Sequence, residues 1–204
     1  MSERYPGKYL IGLTGNIAVG KSLVREILAD LGAVTIDADH IAHQVIRKGE
    51  AAYDNIIAAF GDGILDGEGE IVRAALGDIV FAKPAQLKQL EGITHPAIRR
   101  RIDQLIRESE ARVVVIEAIK LLEGELKRAV DSVWVVDASP RTQLRRLMTT
   151  RGMTESAAER RIALQNSQAD KLRQADVVIR NDGDVRDTRA QVGRAWLEIP
   201  TDLF

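Results

Sequence analysis

The 204-residue chain contains no cysteine. This excludes disulfides, thiolate metal sites, iron-sulfur clusters and cysteine nucleophiles. The chain also lacks an excess of charge of either sign, because 29 lysines and arginines are balanced by 30 aspartates and glutamates. Neutralising a nucleic-acid backbone requires a basic surface, so we expect no nucleic-acid partner.

Long apolar runs are missing as well. No run approaches the ~18 residues that cross a bilayer, and the opening residues 1–8 lack the apolar segment of a signal peptide. We therefore expect no membrane partner and a cytoplasmic location. The composition, 45% hydrophobic and 29% charged, is that of a globular protein, and the length suits one catalytic domain with an inserted helical subdomain.

Five short apolar segments rich in β-branched residues predict buried strands. Most are continuously apolar rather than alternating, and helical patterns separate them, which favours a parallel sheet covered on both faces by helices. The predicted fold is therefore α/β, with five parallel strands. The segments are Tyr9 to Thr14, Ala33 to Ile36, Val113 to Ile119, Val133 to Val136 and Val177 to Ile179.

A stretch without a convincing strand separates the second segment from the third. Residues 41–110 show helical patterns broken by glycines, with Pro84 and Pro96 placed as at helix starts. We interpret this stretch as a helical insertion into the sheet domain. The predicted core then comprises residues 1–40, 111–140 and 174–204.

The remaining segment, residues 141–173, is unusually basic. It carries a formal charge of +5, whereas the rest of the chain carries −6. A solvated helix face would explain this charge, and so would a helical lid that closes over an anion. For such a lid Arg146 and Arg151 are the candidates to stabilise a phosphoryl group in transfer. Gly152 predicts the break between two lid helices, and Thr154 is a candidate N-cap for the second.

A phosphate-binding motif follows the first predicted strand. The pattern G-x-x-x-x-G-K-[ST] is met between a strand and a helix, the context in which loop N–H groups cradle phosphates at a helix N-terminus. The lysine of such a loop reaches the β and γ phosphates and the hydroxyl ligates Mg²⁺. At two positions where many such loops have glycine this one has asparagine or alanine, and asparagine tolerates left-handed geometry. The predicted nucleotide-binding residues are Gly15, Asn16, Ile17, Ala18, Val19, Gly20, Lys21 and Ser22.

Three carboxylates end predicted strands beside this loop. Ligands of open α/β sheets bind at that edge, so Asp37 is our candidate general base for phosphoryl transfer to an alcohol. Asp39 could take part in the same site or merely cap the helix that starts near His40. Glu117 could hold Mg²⁺ through water or form a strand-end salt bridge.

Separated motifs along essentially the whole chain resemble the dephospho-coenzyme A kinase family. The Asp-Ala-Asp triplet, the His-Pro pair and the C-terminal Ala-Asp-x-x-Ile-x-Asn-x-Gly segment are more specific than the phosphate-binding loop alone. The matching residues are Ile11–Gly15 with Gly20–Ser22, Asp37–Asp39, Phe60–Gly61, Arg73 with Leu76, His95–Pro96, Leu121–Glu123, Gln143 with Arg146, Gln165, and Ala175–Ile179 with Asn181 and Gly183.

The resemblance implies transfer of the γ-phosphoryl group of Mg-ATP to the ribose 3′-hydroxyl of dephospho-coenzyme A. It implies a P-loop kinase core, an acceptor-binding helical insertion and a lid. By matching position Asp37 is the base, Arg73 and His95 lie in the acceptor site, Arg146 faces the phosphates and Asn181 lies near the adenine. From the residues alone, Arg73 is an exposed helical arginine and His95 could equally be an N-cap.

Two departures from the family pattern affect the lid and the third strand. The chain has Ile119-Lys120 where the family commonly has a proline before its Leu-Leu pair, and Thr150 where it commonly has arginine. Arg151 could replace that arginine only if the helix has ended or loosened there, since one residue rotates a side chain by about 100°.

Two other functions fit parts of the sequence. Another P-loop kinase, acting on a nucleoside monophosphate, a sugar acid or shikimate, would use the same loop and lid. A regulatory ATP-binding module would bind nucleotide without turnover. Neither of these two functions requires the acceptor-site residues Asp37, Asp39, Arg73 and His95. A requirement for these residues would therefore favour phosphorylation of dephospho-coenzyme A.

Overall fold

The computed structural model describes residues 5–123 and 125–200, with the backbone alone at Glu123 and Glu125. The outer ends of the predicted core, residues 1–4 and 201–204, and Gly124 within it lie outside the described residues.

A five-stranded sheet in the order β2-β3-β1-β4-β5 forms the centre of the fold. The central strand β1 pairs in parallel with β3 and β4, and β4 pairs in parallel with β5. The predicted five-stranded parallel α/β fold is thus confirmed. The strands are β1 Tyr9–Thr14, β2 Val34–Asp37, β3 Val113–Glu117, β4 Ser132–Asp137 and β5 Val177–Arg180.

Nine α-helices occur in the part of the chain that the structure describes. They are α1 Lys21–Asp30, α2 Ala38–Gln44, α3 Tyr53–Phe60, α4 Arg73–Phe81, α5 Pro84–Glu108, α6 Pro140–Arg151, α7 Glu155–Ala163, α8 Gln168–Leu172 and α9 Val185–Leu197. Short 3-10 turns cover Asp62–Ile64, Leu121–Glu123 and Glu125–Arg128.

The chain divides into two compact units. The first comprises Met1–Ile36 with Ser109–Phe204 and holds the sheet; the second, Asp37–Glu108, is helical apart from one antiparallel bridge between Leu65 and Ile71. That bridge closes the glycine-rich turn which the sequence showed only as a break in helical pattern. That the second unit binds an acceptor and that residues 141–173 act as a lid stay predictions.

An apolar core within the first unit fixes the end of β1, from which the phosphate-binding loop begins. Ile11 and Leu13 on β1 are fully buried, as are Val24 and Leu28 on α1. Burial of these apolar side chains stabilises the pairing of strand and helix, and close packing makes the two elements rigid relative to each other. The loop between them is therefore held at both ends.

The long helix α5 corrects one prediction. Pro84 does begin it, but Pro96 lies inside it rather than at a start. Proline in a helix interior removes one backbone hydrogen bond. The second half of α5 buries Ala97, Ile102 and Ile106, and this packing outweighs the lost bond. His95 is consequently a mid-helix residue, so the alternative that it caps a helix is wrong.

Candidate functional site

Both glycines of the phosphate-binding motif are required by close approach of neighbouring atoms. Gly20 precedes α1 with φ 98°, and a Cβ there would lie 1.9 Å from Nδ2 of Asn181. A Cβ on Gly15 would lie 2.5 Å from the backbone oxygen of Val136. Real Cβ atoms do not approach so closely, so the loop shape depends on glycine at these two positions.

Ala18 is the strained residue of the loop. Among the described residues it is the one non-glycine residue with positive φ, at 58°. Asparagine at position 16 would tolerate left-handed geometry, but Ala18 is the residue that has it. A residue in this region costs roughly 1–2 kcal/mol when it carries a Cβ.

Replacing Ala18 with glycine should therefore stabilise the protein. Because glycine removes this strain but loses about 0.5–1 kcal/mol of backbone entropy on folding, we expect the free energy of unfolding to rise by about 0.5–1 kcal/mol. Urea denaturation measures it. The matched control Ala29→Gly, on the exposed face of helix α1, should have the opposite sign; an unchanged or lowered stability for Ala18→Gly would contradict the strain.

Lys21 contacts the beginning of its own loop. Its ammonium group donates to the backbone oxygen of Gly15 at 3.0 Å and of Asn16 at 3.4 Å. The lysine of this motif reaches the β and γ phosphates. Lys21 therefore predicts that the γ-phosphate end of the loop is the part next to Gly15 and Asn16. Ser22, in the first turn of α1, is exposed.

Arg146 and Asn181 clamp the loop from outside. The Arg146 guanidinium donates to the backbone oxygens of Ala18, Val19 and Asn181 at 2.8 to 3.1 Å. The Asn181 amide donates to the backbone oxygen of Val19 at 2.8 Å and accepts from the hydroxyl of Thr188 at 3.0 Å. Burial lowers the pKa of Arg146. Both side chains thus shape the loop through its carbonyl groups.

The structure brings Arg146, but not Arg151, to the loop. Helix α6 continues through Arg151 and ends at Gly152, which has left-handed φ 61°. Five residues along a helix correspond to about 140° of rotation, so Arg151 lies on another face of α6 and is exposed. The predicted break at Gly152 and the predicted N-cap at Thr154, which accepts from Ala157, are confirmed. A nucleotide contact by Arg151 stays a prediction.

Residues 165–168, from the connection after α7 to the first residue of α8, also contact the loop. The side-chain oxygen of Gln165 accepts from the backbone N–H of Ile17, that of Gln168 accepts from the backbone N–H of Asn16, and the Asn16 amide donates to the backbone oxygen of Asn166. The sequence motifs included Gln165 without a role and did not single out Gln168 or Asn166. Their separation of about 150 residues from the loop leaves no local signal.

Asp37 is the N-cap of α2 in the second unit. Its Oδ1 accepts from the backbone N–H of His40 at 2.8 Å. The alternative that Asp39 caps this helix is wrong, because α2 already begins at Ala38 and Asp39 lies in its first turn. The cap fixes the orientation of the Asp37 carboxylate.

The pKa of His43 on α2 responds to several charged groups around it. Burial lowers its pKa, the positive charge of Arg73 lowers it further, and Asp39 and Asp37 oppose that shift. Arg73, exposed at the start of α4, is therefore close enough to act on the same group as both aspartates. The sequence analysis did not single out His43, which lies four residues from Asp39 on one face of α2. His95 is exposed on α5.

Comparison with known proteins decides which family combines this loop and this helical unit. The family profile of dephospho-CoA kinases matches residues 9–187. The dephospho-CoA kinase of Moorella thermoacetica is 42% identical over 199 residues, with 96% of this chain and 94% of that protein covered. This chain belongs to the dephospho-CoA kinase family.

Two solved structures share the fold of this kinase family member over almost its whole length. The crystal structure of TT1252 from Thermus thermophilus superposes with a TM-score of 0.83 at 28% identity, covering 95% of this chain and 98% of that one. Dephospho-CoA kinase from Campylobacter jejuni has a TM-score of 0.59 at 29% identity, covering 95% and 98%. The family resemblance and the P-loop kinase fold predicted from the sequence are both confirmed.

Glu117 of the kinase forms an ion pair. It lies opposite Leu13 of β1, and one of its oxygens is 3.1 Å from the guanidinium of Arg25 on α1. The strand-end salt bridge is therefore present, which leaves a contact to Mg²⁺ through water as a prediction. Among the described side chains, those of residues 5–122 and 126–200, there is no cluster of three histidines or carboxylates that could hold a metal.

The oxygen donors nevertheless suit Mg²⁺ in a kinase. This ion keeps several waters and is held by one or two protein oxygens together with substrate phosphates. The exposed hydroxyl of Ser22 and the carboxylate of Glu117, only 12% exposed, are hard donors of that kind.

None of the described helices is both long and apolar enough to cross a membrane.

Proposed function

We propose that this member of the dephospho-CoA kinase family transfers the γ-phosphoryl group of Mg-ATP to the ribose 3′-hydroxyl of dephospho-CoA. Phosphorylation of dephospho-CoA with ATP, the last step of coenzyme A synthesis, is the activity of the family. The observation that carries the proposal is the clamped loop of residues 15–22 in a chain matched to the family over residues 9–187.

The loop and its clamp bind the donor. Backbone N–H groups of residues 18–22 and the N-terminus of α1 hold the phosphates, and Lys21 adds a positive charge toward the γ-phosphate. Arg146 holds two carbonyl groups of the loop at 3.0 to 3.1 Å, which turns their N–H groups in a fixed direction. Because phosphoryl transfer depends on positioning and charge stabilisation, a loop fixed before ATP binds lowers the barrier. The contacts of Arg151 to phosphate and of Asn181 near adenine belong to this proposal.

Asp37 accepts the proton of the acceptor hydroxyl. In a loose transition state the nucleophile develops charge late, and a carboxylate that holds the hydroxyl both orients it and takes its proton as the bond to phosphorus forms. The N-cap bond to His40 holds this carboxylate in one orientation. Asp39, Arg73 and His95 bind the acceptor in the same unit; the positive charge of Arg73 suits its pyrophosphate.

Ser22 and, through water, Glu117 would hold Mg²⁺. A bound ion would supply positive charge that neutralises the charge developing on the phosphates in transfer. The enzyme has the composition of a cytoplasmic protein, and we place it there.

A coupled assay of ADP release tests the proposal. With Mg-ATP, dephospho-CoA should be turned over in preference to AMP, adenosine, shikimate and gluconate, and mass spectrometry should find one added phosphate, on the 3′-hydroxyl. Turnover of another acceptor with dephospho-CoA inert would overturn the acceptor assignment and leave the P-loop chemistry. Nucleotide binding without turnover of any acceptor would support a regulatory ATP-binding module instead.

A further inference from the structure

Polar groups of residues 165–168 contact two consecutive residues of the phosphate-binding loop, and the proposed mechanism uses none of them. Gln165 Oε1 accepts from the backbone N–H of Ile17 at 2.6 Å, and Gln168 Oε1 accepts from that of Asn16 at 3.1 Å. The Asn16 amide donates to the backbone oxygen of Asn166 at 3.1 Å. Three hydrogen bonds thus join these two segments within the sheet unit.

Gln168 is anchored at both ends of its amide. Its Nε2 donates to the backbone oxygen of Val136 and to Oδ1 of Asp137, both at 3.0 Å. The residue therefore joins Asn16 to the end of β4. Its side chain bonds the scaffold on both sides, so it supports the loop as well as contacting it.

Gln165 is anchored differently. Its Nε2 bonds only weakly to the backbone oxygen of Arg161 in its own helical turn, at 3.3 Å, whereas its oxygen makes the short bond to Ile17. Ile17 directly follows Gly15 and Asn16, whose carbonyl groups contact the Lys21 ammonium. Gln165 therefore acts on the γ-phosphate end of the loop, and it does so from a position two residues beyond the end of α7.

We infer that Gln165 is a positioning residue for the γ-phosphoryl group, holding Ile17 so that this end of the loop stays aligned with the basic segment that includes α7. The inference rests on the proposed function only in that ATP occupies the loop. The inference predicts different effects on ATP and ADP. ADP has no phosphate at this end of the loop, so its affinity does not depend on Gln165. The alignment matters for transfer, in which small displacements of the phosphoryl group are costly.

Gln165→Ala in the full chain tests the alignment. We expect kcat to fall roughly ten-fold or more, because one hydrogen bond that aligns the reacting group is lost. The KM for ATP and the Kd for ADP should stay within about two-fold, because the variant leaves every loop N–H group in place to bind the phosphates. Steady-state kinetics and calorimetry with ADP measure these values. An unchanged kcat, or a loss of ADP affinity that matches the loss of kcat, overturns the inference.

Gln165→Glu tests the location. It keeps an oxygen that can accept from Ile17 but adds negative charge, and two like charges about 4 Å apart repel by about 1–4 kcal/mol. A non-hydrolysable ATP analogue should therefore lose at least about five-fold more affinity than ADP, since each 1.4 kcal/mol is ten-fold. Equal losses for the two nucleotides would place Gln165 away from the γ-phosphate.

Two variants serve as controls. Gln174→Ala removes an exposed glutamine that bonds Lys127 and Asp170, and it should leave kcat and both affinities unchanged. Gln168→Ala removes the acceptor for Asn16 together with two bonds to the end of β4, so, unlike Gln165→Ala, it should also lower the free energy of unfolding. These binding measurements need no acceptor, so they decide the role of Gln165 even if dephospho-CoA turnover by the unmodified chain failed the proposed function.

Discussion

Asp37→Asn should reduce kcat by roughly 10²- to 10⁴-fold, the contribution typical of a positioned general base. The asparagine has nearly the shape of the aspartate but cannot take the proton of the acceptor hydroxyl. The substitution should leave the fold intact, because asparagine is as good an N-cap as aspartate and keeps an oxygen for the N–H of His40. Affinities for ATP and dephospho-CoA should remain within a few-fold. Stopped-time assays of ADP release and calorimetry measure both parts.

Separate variants distinguish the proton acceptor from the cap. Asp184→Asn changes an N-cap of the same kind on α9, whose side chain accepts from Arg186, and turnover should be unaffected. Asp37→Ser keeps a capping oxygen and should be as inactive as Asp37→Asn, whereas Asp37→Ala should in addition lose about 1 kcal/mol of stability. Near-normal turnover by Asp37→Asn would show that Asp37 only caps α2.

The contrast between Pro96 and Gly152 shows where sequence signals suffice for the fold. Gly152 ends α6 with left-handed geometry, and glycine is favoured there by local sterics, so the residue alone predicts the break. Pro96 is also a local signal for a helix start, but the buried residues that follow it on α5 keep the helix going. Tertiary packing overrides a local preference, and a single sequence does not show that packing.

The candidate site likewise combines residues that the sequence predicts with contacts that only the structure shows. The phosphate-binding loop is predictable because its chemistry needs fixed residue types at fixed spacing. The sequence does not predict which residue of the loop is strained, because nothing local marks Ala18 as the left-handed position. Contacts such as Gln168 with Asn16 join residues far apart in the chain, and only the fold shows them. Family resemblance selected Arg146 and Asn181, but their clamping of the loop carbonyls is visible only in the structure.

The clamp also makes Gly20 the position of the loop least able to accept a side chain. A Cβ on Gly20 would lie 1.9 Å from the Asn181 amide nitrogen and 3.5 Å from the Arg146 guanidinium. Asn181 is only 2% exposed and bonded to Val19 and Thr188, so it cannot simply turn away. The left-handed φ of 98° adds strain for any residue with a Cβ.

Gly20→Ala should therefore abolish both nucleotide binding and turnover, because the loop must move away from Asn181 and lose its phosphate-binding shape. Overpacking and left-handed strain together should lower the free energy of unfolding by about 2–4 kcal/mol. Calorimetry with ADP and urea denaturation measure the two effects. Gly193→Ala is the matched control: nothing lies within 4 Å of its added Cβ, and alanine inside α9 should leave ADP affinity unchanged and stabilise the chain by about 0.5–1 kcal/mol. If Gly20→Ala bound ADP as the unmodified chain does, the loop could not be the phosphate cradle whose shape Asn181 and Arg146 maintain.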